Sequence, residues 1–136
     1  MRVPTLLIVS LVSLNAYAAT PQSLMSTYLA QAKQENPAFK EFSANRGEQF
    51  YHAKRAHSSG KQMNCATCHT DNPRGVGAHA KTRKEIQPLV PSVNKERFSD
   101  AAKVEKWFKR NCQDVLERAC TAQEKGDFIA YVSSVK

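Results

Sequence analysis

Past its first nineteen residues, the 136-residue chain has no apolar run near the ~20 residues that span a bilayer, which excludes a membrane-spanning body. It has no internal repeat, no low-complexity tract and no convincing β-strand, so helices joined by loops are expected. No classical acid–base pair or nucleophile stands out, which weighs against a dedicated enzyme. The formal charge is +8, yet no compact basic run supports it, so nucleic acid is not the expected partner. Methionine is scarce as well: Met1, Met25 and Met63 are the only three, all in the first half of the chain.

What is present begins with a leader. Arg2 gives a positive start; Leu6, Leu7, Ile8, Val9, Leu11 and Val12 form an apolar core; Ala16-Tyr17-Ala18 supplies small residues for a signal peptidase. The expected division is a signal peptide over residues 1–18, cut after Ala18 or Ala19, and one domain over 19–136. Export sends the mature chain to an oxidising periplasm. Losing Arg2 leaves +7, and a field of that sign suits an acidic redox partner, through encounter rate more than through fold. Any single surface lysine serves solubility equally well.

Four helices are expected. Thr20-Pro21 is a cap followed by proline at the first helical position, and Met25, Tyr28, Leu29 and Ala32 share a face up to Asn36-Pro37. A second helix should run from Ser43 to about Ala56, where an interior Gly47 implies another helix crossing close by. Ser58 to about Asn94 is rich in Ser, Gly, Pro, Asn and Thr and is expected to be a long irregular loop. A loop of that length needs something to organise it. Ser99 or Asp100 caps a third helix with Val104, Trp107 and Phe108 on one side, continued by Asn111. Thr121 and Glu124 form a capping box before the stripe Phe128, Ile129, Val132 and Val135. These stripes are thin, and the core looks under-filled without a large apolar cofactor.

Cys65-Ala66-Thr67-Cys68-His69 names that cofactor. The pattern is c-type haem attachment: two intervening residues let both sulfurs reach the vinyl groups on one porphyrin edge. The next residue, His69, is then carried under the iron as proximal ligand. A thioredoxin-like dithiol would need a βαβ setting, and a zinc site would need two more ligands at finger spacing. One motif implies one covalently bound haem c. Cys112 and Cys120 remain, and in an oxidising compartment a disulfide is expected, stabilising by ~2–3 kcal/mol on the chain-entropy model.

The other face of the iron is less obvious. Small cytochromes c commonly use a methionine after the motif, and none follows His69. His52, His57, His79, an asparagine, a lysine or nothing are the candidates left. Asn111 lies on the Trp107 stripe, where a buried amide needs a partner, although asparagine also caps helix ends.

Beyond the motif, Lys84-Glu85-Ile86-Gln87-Pro88-Leu89-Val90-Pro91-Ser92, Arg97-Phe98-Ser99-Asp100 and Val104-Glu105-Lys106-Trp107 resemble the sphaeroides haem protein family of monohaem cytochromes c. Arg110-Asn111-Cys112, Cys120-Thr121 and Glu124-Lys125 continue the match, which covers most of residues 60–136. The resemblance implies an all-α, class I cytochrome c-like fold with a long haem-binding loop and an extra N-terminal helix. It implies Cys65 and Cys68 as covalent attachments, His69 as proximal ligand and Trp107 beside the haem. It also implies Asn111 as sixth ligand, directly before a disulfide of Cys112 with Cys120. Ligand and partners follow from it too: a small diatomic such as oxygen or nitric oxide at ferrous iron, with a dihaem cytochrome c and a membrane cytochrome b as electron partners. The rival expectations are a plain electron carrier with a permanently six-coordinate haem, and an enzyme reducing oxygen or nitric oxide or acting on a peroxide.

Overall fold

The computed structural model describes residues 18–136, so the expected leader, apart from Ala18, lies outside the described residues. Thr20 opens α1 (Pro21–Glu35) with a reciprocal cap. Its Oγ1 accepts from the Ser23 amide at 3.1 Å, and its own amide donates to Ser23 Oγ at 2.9 Å. Leu24, Tyr28 and Ala32 form the buried stripe of α1, with Met25 and Leu29 at its edge. Asn36 ends the helix before Pro37.

Ser43 caps α2 (Ala44–His52), which is shorter than expected. Arg55 supplies the reason. Its guanidinium donates to the free carbonyls of Phe50 (3.3 Å) and Ala53 (2.7 Å), and its backbone turns into a strand. Gly47 lies where α2 crosses α5 (Ala122–Ser134). A Cβ there would sit 2.0 Å from the Asp127 carbonyl oxygen and 2.8 Å from Tyr131 Cβ, so only glycine permits this approach. Beside the crossing, the buried Asp127 carboxylate accepts from the Ser43 amide (2.7 Å) and from Arg46 Nε (2.8 Å) and Nη2 (2.9 Å). Tyr28, Tyr51, Ile129 and Val132 fill the core where α1, α2 and α5 meet.

The expected irregular loop is more ordered than its composition implies. Two antiparallel ladders run through it: β1 (Arg55–Ala56) with β2 (Gln62–Met63), and β3 (Gly77–Ala78) with β4 (Glu85–Ile86). Strands of two residues are too short to show an alternating pattern, which is why none stood out. Between the ladders lies one helical turn, α3 (Ala66–His69). Asp100 caps α4 (Ala101–Leu116), accepting from the Lys103 amide at 3.0 Å. Helices still dominate, and the fold is all-α. Among the described residues no helix is long and apolar enough to cross a membrane.

Candidate haem site

The attachment turn is built by its neighbours before any cofactor is considered. Asn64, 8 % exposed, does most of this. Its Oδ1 accepts from the Thr67 amide and the Thr67 hydroxyl, both at 2.8 Å, while its Nδ2 donates to the His52 carbonyl at 3.0 Å. From the position before the N-cap Cys65, Asn64 therefore satisfies an amide in the first turn of α3 and fastens that turn to the end of α2. The Cys65 amide donates to the Tyr51 carbonyl at 3.2 Å, and the Cys65 carbonyl accepts from the Cys68 (3.3 Å) and His69 (3.1 Å) amides. That single turn sets Cys65, Cys68 and His69 together. On the far side of the turn Thr70 takes a left-handed φ of 65°, and the buried Tyr51 hydroxyl donates to its carbonyl at 2.6 Å.

β3 closes against the same backbone. A Cβ on Gly77 would fall 2.1 Å from the Cys68 carbonyl oxygen and 3.0 Å from His69 Cα, so the ladder can pack there only with glycine. Neither Gly77 nor Tyr51 was singled out from sequence as a site residue, since nothing local reports a contact between distant segments. Asn64 was not singled out either, although asparagine three residues before Thr67 is a capping pattern that could have found it.

The donor chemistry fits a covalent haem. Cys65 and Cys68 are free thiols, and burial pushes the Cys65 thiol up to about 11 against the opposing pull of Arg55. Burial, with the Arg97 charge as a second cause, holds His69 down at about 4, leaving its imidazole neutral. Neutral imidazole is the form that ligates a metal. Arg97 is half-buried itself; its Nε donates to the Pro88 carbonyl at 2.7 Å and its Nη2 to the Gln87 carbonyl.

The expected distal residues lie on α4, which separates the stripe read from sequence. Val104 and Phe108 pack against the core, whereas Trp107 is 42 % exposed, with the Arg110 guanidinium 5.2 Å from its ring. Asn111 is exposed one turn beyond Trp107. It is not a cap, because α4 continues to Leu116. Cys112 is buried, and its Cα is 5.7 Å from that of Cys120, within the span of a disulfide. Each rival histidine already has a partner. His52 packs on Tyr51 at 4.9 Å, His57 lies between Ser59 Oγ (2.8 Å) and Glu117 Oε1 (3.6 Å), and His79 Nδ1 accepts from the Lys81 and Thr82 amides.

The chain is similar to known proteins in sequence and in fold. Residues 37–132 match a domain of unknown function, DUF1924. The chain is 39 % identical to cytochrome c'' of Methylophilus methylotrophus, over 97 % of this chain and 94 % of that protein. It is 37 % identical to the cytochrome c-type protein SHP of Cereibacter sphaeroides, over 89 % of this chain and 95 % of that protein. The crystal structure of oxidised cytochrome c'' superposes with a TM-score of 0.79 at 40 % identity, covering 85 % of this chain and 94 % of that one. Oxidised SHP, described as an oxygen-binding cytochrome c, gives 0.75 at 34 % identity, covering 86 % and 98 %. A solution structure of cytochrome c'' that addresses haem-ligand detachment gives 0.76 at 41 % identity, covering 85 % and 94 %.

Proposed function

We propose that this chain, which belongs to the DUF1924 family and to the cytochromes c represented by cytochrome c'' and the sphaeroides haem protein, releases Asn111 from its iron on reduction and takes a small diatomic ligand in its place. Its cofactor is covalently bound haem c, in keeping with those relatives and with the Cys-x-x-Cys-His turn. Cys65 and Cys68 carry the thioethers, His69 is the proximal ligand, Asn111 is the ferric sixth ligand, and Trp107 flanks the haem. When bound, the haem supplies a one-electron redox couple and a coordination position on its Asn111 side.

The observation that carries this reading is the placement of Asn111: mid-helix, exposed, one turn from Trp107 and adjacent in sequence to a buried cysteine, while His52, His57 and His79 are engaged elsewhere. A neutral amide oxygen is a hard, weak donor that suits ferric iron better than ferrous. Reduction therefore favours its release, whereas a thioether would stay. Freed of the iron, the Asn111 Nδ2 can donate a hydrogen bond to an incoming diatomic. A disulfide between Cys112 and Cys120 limits how far Asn111 moves when it lets go. Oxygen binding in SHP and haem-ligand detachment in cytochrome c'' support the same cycle.

The leader over residues 1–18 supports export to the periplasm, and the +8 charge supports an acidic electron partner. Within the family that partner would be a dihaem cytochrome c, with a membrane cytochrome b behind it.

Absorption spectra of both oxidation states, with and without carbon monoxide, test the proposal. The ferric protein should be high-spin or mixed-spin, and the ferrous protein should take up carbon monoxide readily. Asn111→Ala should change the ferric spectrum and leave carbon monoxide uptake in place. If Asn111→Ala changes neither spectrum while a histidine replacement does, the sixth ligand is that histidine.

A further inference from the structure

The basic charge is not spread evenly in its effect. Arg46, Arg118 and Lys125 lie within 2.8 Å of Asp127, Glu124 and Glu105, and those charges hold helices together. Two clusters differ: Lys103, Lys106, Lys109 and Arg110 along α4, exposed and among the described residues without a carboxylate in ion-pair contact, and the tip of the β3–β4 hairpin. Lys81, Arg83 and Lys84 are all exposed within four successive positions, and among the described residues none has a carboxylate in ion-pair contact.

This tip is also built rigidly. His79 holds it from both ends: its Nδ1 accepts from the Lys81 (3.3 Å) and Thr82 (3.1 Å) amides, its carbonyl from the Arg83 amide (2.9 Å), and its own amide donates to the Lys84 carbonyl (2.9 Å). Arg83 takes a left-handed φ of 59°, a cost accepted only where surrounding bonds impose it. At the base of the hairpin, Gly77 rests on the backbone of Cys68 and His69, and the preceding Val76 is 52 % exposed. The hairpin therefore carries an exposed apolar residue and three unpaired cations on an element whose base, at Gly77, packs against the backbone of the residues expected to hold the haem.

We infer that the β3–β4 tip, around Val76, Lys81, Arg83 and Lys84, is the surface on which an acidic redox protein docks. Exposed, unpaired cations on a rigid turn suit a transient complex, in which charge sets the encounter rate and fixed geometry limits the entropy cost. The chemistry is plain electron transfer: one electron leaves the partner's reduced centre and enters the ferric haem, with no bond made or broken in the protein. The inference rests on the haem reading above and adds the face and the chemistry of the partner.

The test uses the holoprotein, with flavodoxin hydroquinone as the acidic donor and photoreduced lumiflavin as a neutral one. The triple variant Lys81→Gln, Arg83→Gln, Lys84→Gln is compared with Lys103→Gln, Lys106→Gln, Lys109→Gln on α4, which removes the same charge from another face. At low ionic strength the tip variant should accept electrons from flavodoxin on the order of tenfold more slowly and lose most of its salt dependence. The α4 variant should slow much less, and lumiflavin should reduce both at the unaltered rate. Equal slowing of the two variants would reduce the effect to net charge and overturn the inference; so would no slowing at the tip. If the tip variant loses binding to phosphatidylglycerol vesicles while keeping its flavodoxin rate, the surface serves a membrane and the inference again fails. Failure of the haem reading itself would show earlier, in the visible spectrum of the unaltered protein.

Discussion

Tyr28, Tyr51, Ile129 and Val132 are almost wholly buried where α1, α2 and α5 meet, whereas α4 turns Trp107 and Asn111 to its surface. The first region is held by side-chain packing and by the Arg46–Asp127 clamp across a close helix crossing. In the second, which runs from His57 through α4, polar bonds carry much of the order: Asn64 over Thr67, His79 over its turn, Arg97 on two carbonyls. Packing of apolar groups supplies free energy in proportion to area, while each polar bond adds only ~1 kcal/mol net. Although Leu89, Val90 and Phe98 of the second region are buried, it is the one expected to depend more on its cofactor. It also holds the residues proposed for the chemistry, because a ligand exchange would need a side chain that the core has not already claimed.

The largest expected effect breaks this contrast at the haem. Replacing Cys65 and Cys68 together by alanine should leave pigment that acidified organic solvent extracts. Hydrogen exchange should then quicken over residues 57–98 and α4 well beyond α2 and α5. Uniform loss of protection would mean that the two regions do not differ in this way.

Next comes the helix crossing. Gly47→Ala places a Cβ 2.0 Å from the Asp127 carbonyl oxygen and should cost about 3 kcal/mol in chemical denaturation. The visible spectrum of the folded fraction should stay the same, since the damage falls in the other region. A shifted spectrum without lost stability would reverse the assignment.

Converting Cys112 and Cys120 to serine should cost about 2 kcal/mol on the chain-entropy model and, unlike the glycine variant, should move the ferric spectrum through Asn111 while the haem stays attached. Free thiols found by peptide mapping of the oxidised, unaltered protein would remove the basis for this effect.

Asn64→Ala, which removes the acceptor for the Thr67 amide and hydroxyl in the attachment turn, should cost about 1 kcal/mol and lower the yield of doubly attached haem, measurable by mass spectrometry of the purified chain.

The smallest effect concerns acid. Burial raises the Glu124 carboxyl, but hydrogen bonds from Arg118 and the Thr121 amide outweigh it and hold the group below its ordinary value. A depressed carboxyl contributes stability above the unfolded-state value of 4.5 and loses it as pH falls through the lower folded value. The thermal midpoint of Glu124→Gln should therefore lie below that of the unaltered protein at neutral pH and converge with it in acid. A constant gap between the two would show that the charge is not the cause.

Much of this protein is written in short stretches of chain, and those are the parts that sequence alone determined. The caps at Thr20 and Thr121 are each a local pattern of side chain and nearby amide, so they are legible without a fold, whereas the cap of α4 was narrowed to Ser99 or Asp100 and the structure chose Asp100. The same holds for the haem-attachment motif, whose reach across a porphyrin edge depends only on the spacing of five residues. Gly47 is intermediate: its position inside a helix implied a close neighbour, and only the fold identified that neighbour as α5. Tertiary structure alone decided where α2 stops, because the Arg55 side chain and the β1–β2 pairing take over the backbone there. It decided that Gly77 must admit the attachment turn and that His52, His57 and His79 are engaged elsewhere. It also decided that Asn111 lies mid-helix rather than at a cap. These are contacts between segments far apart in the chain, and a pattern of neighbouring residues does not encode which distant backbone will come to lie against it.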